Sequence, residues 1–216
     1  MVSTKDKTAS WFVPGTEALR AIAAHAVTRT FPKNAIILNE GDRADCLYVI
    51  LEGRVKVFVA NPDGKEVLLS TQGPGEYFGE MMLDEGPRSA SVITLEPSRF
   101  LVVPKAEFRQ FLLDNPPFAV QLIEGLIHRV RSLTKNVKSL ALMDVYGRVA
   151  RVLLELAEER DGSMVITHKL TQQDIASRVG ASREMISKIL KDLSVGGYIT
   201  VEHRRITINK KPPQHW

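Results

Sequence analysis

The sequence predicts an α+β chain: an antiparallel β-rich N-terminal half, one long helix, and a small C-terminal unit built on two short helices and a hairpin. Three observations predict it. Short β-branched or alternating runs fill residues 28–104, with Gly/Pro/Asn/Asp turn residues at near-regular intervals between them. An apolar residue then recurs every three or four positions from Ala119 to Leu140. Two short helical patterns flank Gly180, and an alternating segment follows them.

In chain order, "TEALRAIAAHAV" (16–27) has helical spacing. The runs "AIILNEGD", "CLYVILEGRVKVFVA", "KEVLLSTQGPGEYFGE", "SASVITLE" and "RFLVVP" are strand-like, and their spacing suggests a small antiparallel barrel or sandwich. Asn61-Pro62-Asp63-Gly64 between "VKVFVA" and "KEVLLS" is the clearest hairpin. "PKAEFRQFLLDNP" (104–116) reads as a short helix stopped by Pro116 and Pro117. From Phe118 to about Asp144 the chain is helical, with Ala119, Leu122, Leu126, Val130, Leu133, Val137 and Leu140 as a coiled-coil-like seam. Such a seam can pack on its own barrel or pair with a second copy; its length between two domains favours the pair. "YGRVARVLLELAEERDG" (146–162) is a further amphipathic helix, and "NKKPPQHW" a loose tail.

Composition excludes several classes. Charged residues at 25% and hydrophobic ones at 44% describe an ordinary globular protein. No apolar run is long enough to cross a bilayer, and "MVSTKDKTASW" lacks the apolar core of a signal peptide, so a cytoplasmic location is expected. One cysteine, Cys46, cannot form an internal disulfide or hold an iron–sulfur cluster. The five histidines are scattered without metal-ligand spacing, so no metal is expected. There is no nucleophile–base constellation and no Walker-type loop, so the chain does not read as an enzyme. The net charge of +4 is unevenly spread: residues 163–216 hold nine Lys/Arg against four Asp/Glu, the preceding 162 twenty against twenty-one. A basic C-terminal unit fits a polyanion partner.

That unit carries the strongest local pattern, "LTQQDIASRVGASREMISKILKDLSVGGYITVEHRRITI" (170–208). Thr171 and Asp174 have capping-box spacing, Gly180 permits a tight turn, and Ser182 suits the cap of the next helix. Ile175, Ala176 and Val179 form one inner face, and Ile186, Ile189, Leu190 and Leu193 the other. The result is a helix-turn-helix whose second helix would lie in the major groove of double-stranded DNA. Arg183 and Lys188 can donate to guanine O6 and N7, and Glu184 can accept from cytosine N4. Thr171, Gln173 and Ser182 would meet phosphates, and "GYITVEHRRITI" reads as a wing-like hairpin.

Three stretches, "FGEMMLDEGPRSASV", "LALMDVYGRVARVLLELAEE" and "LTQQDIASRVGASREMISKILKDL", resemble the cyclic-AMP receptor protein / fumarate-nitrate regulator (CRP/FNR) family of bacterial transcription regulators over nearly the whole chain. The resemblance implies an antiparallel β-roll or jelly-roll cyclic-nucleotide-binding domain at 1–116 and a long dimerisation helix with its hinge at 117–144. A winged helix-turn-helix DNA-binding domain would occupy 145–216. Residues 78–92 look like the family's phosphate-binding cassette. There Gly79 would let a sugar approach the backbone, Glu80 would accept from a ribose 2′-hydroxyl, and Arg88 and Ser89 would hold a cyclic phosphate. A buried Arg88 needs a counter-charge; the ligand, or Glu80 in its absence, would supply it. An Arg88–Glu80 salt bridge that merely braces the turn is the structural alternative. Two consecutive hydroxyl residues touch adenine in the best-known cyclic-AMP binders; Leu133 and Thr134 stand there, so only Thr134 keeps a hydroxyl. Arg129, one turn earlier, could reach the pocket or a partner helix, or be a surface charge. The loop from Glu80 to Arg88 is shorter than in those proteins, and Lys188 stands where an arginine is commoner.

The implied function is a homodimeric regulator controlled by a cyclic nucleotide, cyclic AMP, and bound to palindromic DNA with TGTGA-like half-sites. A regulator responsive to cyclic di-GMP, or active without ligand, is the alternative. RNA polymerase is a further implied partner, with "EERDGSM" (158–164) as a candidate exposed loop.

Overall fold

The structure is a computed structural model that describes residues 17–24, 26–160, 162–167, 170–202 and 205–213. Thr16, His25, Asp161, His168 and residues 203–204 of the expected wing, with residues 214–216 of the expected tail, lie outside the described residues. The chain falls into two compact units. One runs to Val59 and resumes over Leu69–Ser132; the other holds Ala60–Leu68 and the chain from Leu133.

The first unit is a pair of four-stranded antiparallel sheets with helices on one side. After α1 (Glu17–Ala23) come β1 (Val27–Phe31), β2 (Ile36–Leu38), β3 (Cys46–Glu52), β4 (Val55–Ala60), β5 (Glu66–Gln72) and β6 (Tyr77–Phe78). A single 3-10 turn, Glu80–Leu83, precedes β7 (Ser91–Thr94) and β8 (Ser98–Pro104). The sheet orders are β1-β8-β3-β6 and β2-β7-β4-β5. Side chains alternate along a strand, and β3 uses both faces. Leu47 and Val49 pack toward the helices with Leu101, Val103, Phe108 and Phe118. Ile50 lies between the sheets with Val55, Phe78, Val92 and Phe100. β3 and β8 are therefore buried on both sides, which explains their continuous apolar runs.

Two helices follow the sheets in the chain. α2 (Lys105–Asp114) buries Phe108 and Phe111. The prolines end α2 as expected, and they also open the next helix: α3 spans Pro116–Leu142 and begins with Pro116 itself. The seam expected along α3 is split by the structure. Leu122 is only 4% exposed and Leu126 half-buried, both against the barrel's own core. The exposed apolar stripe runs through Val120, Ile123 and Ile127 in the first half of the helix and through Val130, Leu133, Val137 and Leu140 of the expected seam in the second, at spacings of three and four. In the first half the stripe lies one residue, about 100°, from the expected seam; in the second half the two coincide.

In the second unit α4 (Val145–Leu156) is capped by Asp144, whose carboxylate accepts from Gly147 N at 2.7 Å. The helix expected to continue to Gly162 ends at Leu156, because Glu158–Arg160 is a strand, β9, paired with β10 (Ser163–Ile166). The segment 158–164 is thus largely a hairpin, not a loop. Likewise α1 stops at Ala23 and Val27 already belongs to a strand. α5 (Gln172–Val179), α6 (Arg183–Val195), β11 (Ile199–Glu202) and β12 (Arg205–Ile208) follow, in a sheet ordered β11-β12-β10-β9. Val149, Leu153, Ile166, Ile175, Ile186, Leu193 and Ile206 form this unit's core.

Candidate ligand and nucleic-acid sites

Antiparallel register builds the first site. Tyr48 of β3 faces Phe78 of β6, so Cys46, two residues back, comes beside the chain just beyond Phe78. Gly79 follows with φ +87°, the left-handed conformation that favours glycine. A Cβ there would sit 2.9 Å from the Cys46 carbonyl oxygen and 2.9 Å from Arg88 Nη1. The absent side chain makes room for the Arg88 guanidinium, whose Nη1 donates to Gly79 O at 2.7 Å and Nη2 to Cys46 O at 2.8 Å.

Arg88 is only 3% exposed. The carboxylate Oδ1 of Asp45 stands 3.8 Å from Arg88 Nη2 on a largely exposed side chain, and the buried Nε of Arg88 has no hydrogen-bond partner among the described residues. The expected Arg88–Glu80 pairing is not what forms. Glu80 accepts from Arg129 Nη1 at 2.7 Å, and Arg129 Nη2 also donates to Tyr77 O at 2.6 Å. The Arg129 guanidinium carbon lies 4.5 Å above the centre of the Tyr77 ring. Two arginines thus divide the labour: Arg129 neutralises Glu80, and Arg88, held by neutral carbonyls, keeps most of its charge uncompensated. Burial pushes the Tyr77 hydroxyl up to about 12 despite the nearby Arg129, so the ring stays neutral. Burial likewise raises the Cys46 thiol, with Asp45 adding to it, which makes Cys46 a poor nucleophile.

Of the other expected residues, Ser89 is exposed beside Arg88. Thr134 lies on an exposed part of α3 and belongs, with Leu133, to the second unit, whereas Gly79, Glu80, Arg88 and Arg129 belong to the first. Sequence reasoning missed Gln72, a buried amide next to Arg129. A polar residue closing an apolar strand just ahead of Gly73-Pro74-Gly75 was the available signal.

The second site is built by local rules. Thr171 and Asp174 form the full capping box: Asp174 N donates to Thr171 Oγ1 at 3.1 Å and Thr171 N to Asp174 Oδ2 at 2.8 Å. Gly180 ends α5 in the left-handed region, and Ser182 caps α6 by accepting from Met185 N at 3.2 Å. Arg183, Glu184 and Lys188 are exposed at the start of α6, and Thr171, Gln173 and Ser182 are exposed at the ends of the motif. A hydrogen bond with its own backbone N–H, then the Ser182 hydroxyl, hold the Glu184 carboxyl below its usual range, so it stays an acceptor.

Lys191 joins Glu184 and Lys188 on this exposed face; counting i, i+4, i+7 would have found it. Gln172 Nε2 reaches across to Ser187 Oγ at 3.4 Å. Arg148, also missed, donates from Nε to Val179 O and from Nη1 to Met143 O, both at 2.8 Å, tying the end of α3 to the end of α5. A helix-turn-helix with a two-stranded wing presents a polar, mostly basic helix N-terminus, the form that enters a DNA major groove.

Comparison with known proteins finds a family for each of the two regions. Residues 28–115 match the cyclic nucleotide-binding domain family, and residues 147–212 the Crp-like helix-turn-helix domain family. The chain is 36% identical over 197 residues to the CRP-like cAMP-activated global transcriptional regulator of Mycobacterium tuberculosis, covering 89% of this chain and 88% of that protein. It is 31% identical to the cAMP-activated global transcriptional regulator CRP of Pasteurella multocida, covering 94% and 95%. Among solved structures, the c-di-GMP responsive global regulator CLP of Xanthomonas campestris superposes with a TM-score of 0.77 at 25% identity, covering 89% of this chain and 98% of that one. With a β-roll, a long helix, a winged helix-turn-helix and full-length relatives of this kind, the chain belongs to the CRP/FNR family of transcription regulators.

Proposed function

We propose that the chain is a homodimeric, sequence-specific DNA-binding regulator whose DNA affinity is set by cyclic AMP bound at the β-roll. The observation that carries the ligand half is Arg88, a guanidinium 3% exposed whose Nε has no partner among the described residues. A buried fixed cation held mainly by carbonyls is an anion receptor short of its anion. A cyclic phosphate fits it in charge, and Gly79 leaves the backbone open beside it. Glu80, already oriented by Arg129, has a second carboxylate oxygen for a ribose hydroxyl. Ser89 supplies a hydroxyl at the phosphate, and Thr134 on α3 one for the base.

The exposed stripe Val120–Ile123–Ile127–Val130–Leu133–Val137–Leu140 supports pairing of α3 with a second copy. A two-fold pair would present two α6 helices about one DNA turn apart, matched to a palindrome with TGTGA-like half-sites read by Arg183, Glu184 and Lys188. Thr171, Gln173 and Ser182 contact phosphates in this reading, with the division at residues 116 and 144 as its domain boundaries. Ligand binding shifts the dimer toward the DNA-competent state only by its preference for that state. RNA polymerase contact, a cytoplasmic location and the absence of catalysis go with the reading.

One observation favours a different effector. Leu133 replaces one of the two hydroxyls expected at the base, and one solved relative is c-di-GMP responsive. Titration calorimetry with cyclic AMP and cyclic di-GMP separates the cases. Saturable binding of cyclic AMP alone is expected; heat only with cyclic di-GMP, or with neither, removes cyclic AMP from the account.

A further inference from the structure

Gln72 closes β5 and is 5% exposed, a primary amide buried at the end of a strand. A buried amide costs free energy unless both its ends are satisfied. In the amide orientation that satisfies its neighbours, its nitrogen donates to Tyr77 O at 3.3 Å and its oxygen accepts from Arg129 Nη2 at 3.2 Å. Tyr77 O thereby receives two donors, from Gln72 and from Arg129, and Arg129 Nη2 is shared between two acceptors. With Nη2 fixed in this way, Nη1 is aimed at Glu80 Oε1, 2.7 Å distant. Arg129 is 28% exposed at its side chain, so without Gln72 water would compete for it.

We propose that Gln72 is a positioning residue that sets discrimination for a ligand hydroxyl: it holds Arg129, Arg129 orients Glu80, and Glu80 is thereby poised to accept from a vicinal ribose hydroxyl. The proposal rests on the nucleotide reading above and adds a residue and a selectivity to it. The anion half of the site is built separately, since Arg88 is held by Gly79 O and Cys46 O. Losing Gln72 therefore frees Glu80 while leaving the phosphate receptor in place. The ordering that Gln72 supplies in advance is a cost that binding would otherwise carry.

The test compares cyclic AMP with 2′-deoxy cyclic AMP by titration calorimetry on the full-length wild type, Gln72→Leu and Gln72→Met, the second keeping side-chain volume. A hydrogen bond to a charged group predicts that the wild type prefers the ribose form by roughly 10–100-fold. Both variants should lower that preference by at least about threefold, with affinity for the deoxy analogue unchanged, since only the hydroxyl contact depends on Glu80. An unchanged preference, or equal weakening of both nucleotides, overturns the proposal. A denaturant-unfolding cycle of Gln72→Leu, Arg129→Leu and the double variant needs no ligand. Non-additivity upholds the placing of Arg129 by Gln72, and additivity overturns the proposal whatever the nucleotides do. Wild type that binds neither nucleotide removes the ligand reading, and the cycle then decides the Gln72–Arg129 coupling alone.

Discussion

Replacing Arg88 with Leu should separate binding from folding. In the folded chain the side chain makes two charge-assisted hydrogen bonds, to Gly79 O and Cys46 O, at 2.7 and 2.8 Å. Each is worth roughly 1.5–3 kcal/mol, although Gly79 O keeps a second donor, Met82 N at 3.1 Å, when the guanidinium is lost. Against that, the variant no longer buries a guanidinium whose carboxylate neighbour, Asp45, is 3.8 Å away and well exposed. Burying an ill-paired charge costs several kcal/mol, so the two effects nearly offset and stability should change by no more than about 2 kcal/mol. Nothing offsets the loss on the ligand side. Removing one member of a buried charge pair costs about 3–5 kcal/mol, two to three powers of ten or more in Kd. Calorimetry with cyclic AMP beside a thermal melt measures both. A variant that melts like the wild type and binds cyclic AMP within tenfold of it would refute the assignment of Arg88 as the anion receptor.

Glu184→Ala should relax base choice at one position per half-site by about 1–3 kcal/mol, read from binding to a set of singly substituted palindromes; equal weakening on every sequence would mean that Glu184 reads no base. Val137, 64% exposed on α3, is the place to test association. Val137→Glu should raise the dimer Kd at least about tenfold in sedimentation equilibrium, because a carboxylate would be desolvated at the pairing face. Burial raises the Glu76 carboxyl, partly offset by Gly73 N–H and Arg129. A carboxyl raised in the folded state stabilises fully below its unfolded pKa and loses that contribution as pH rises through the folded value. Glu76→Gln should therefore gain on the wild type by a few degrees in Tm between about pH 4 and 7. A difference in Tm that does not change with pH would contradict this.

The parts of the structure legible in sequence are those fixed within a few residues. The caps of α5 and α6 and the turn at Gly180 follow from local rules and took the form expected. What sequence left open is settled over distance. The first half of α3 carries two apolar stripes one residue apart, and only packing against Phe108 and Phe118 decides that Leu122 and Leu126 face inward. β1 is almost wholly exposed and "EER" is an acidic run, so neither strand has a burial pattern to betray it; each exists through pairing, with β8 and with β10. Glu80 and Arg129 stand 49 positions apart, so their pairing, which displaced the expected Glu80–Arg88 bridge, could not be read from spacing.

The central claim is that a nucleotide in the β-roll controls α6 on DNA. Fluorescence anisotropy of a labelled palindrome with TGTGA half-sites, titrated with protein alone, with cyclic AMP and with cyclic di-GMP, tests it most directly. The account predicts tight binding only with cyclic AMP, and none of that tightening in Arg88→Leu. Equal affinity in all three titrations would contradict it, leaving a dimer competent without ligand and Arg88 as a brace between two strands.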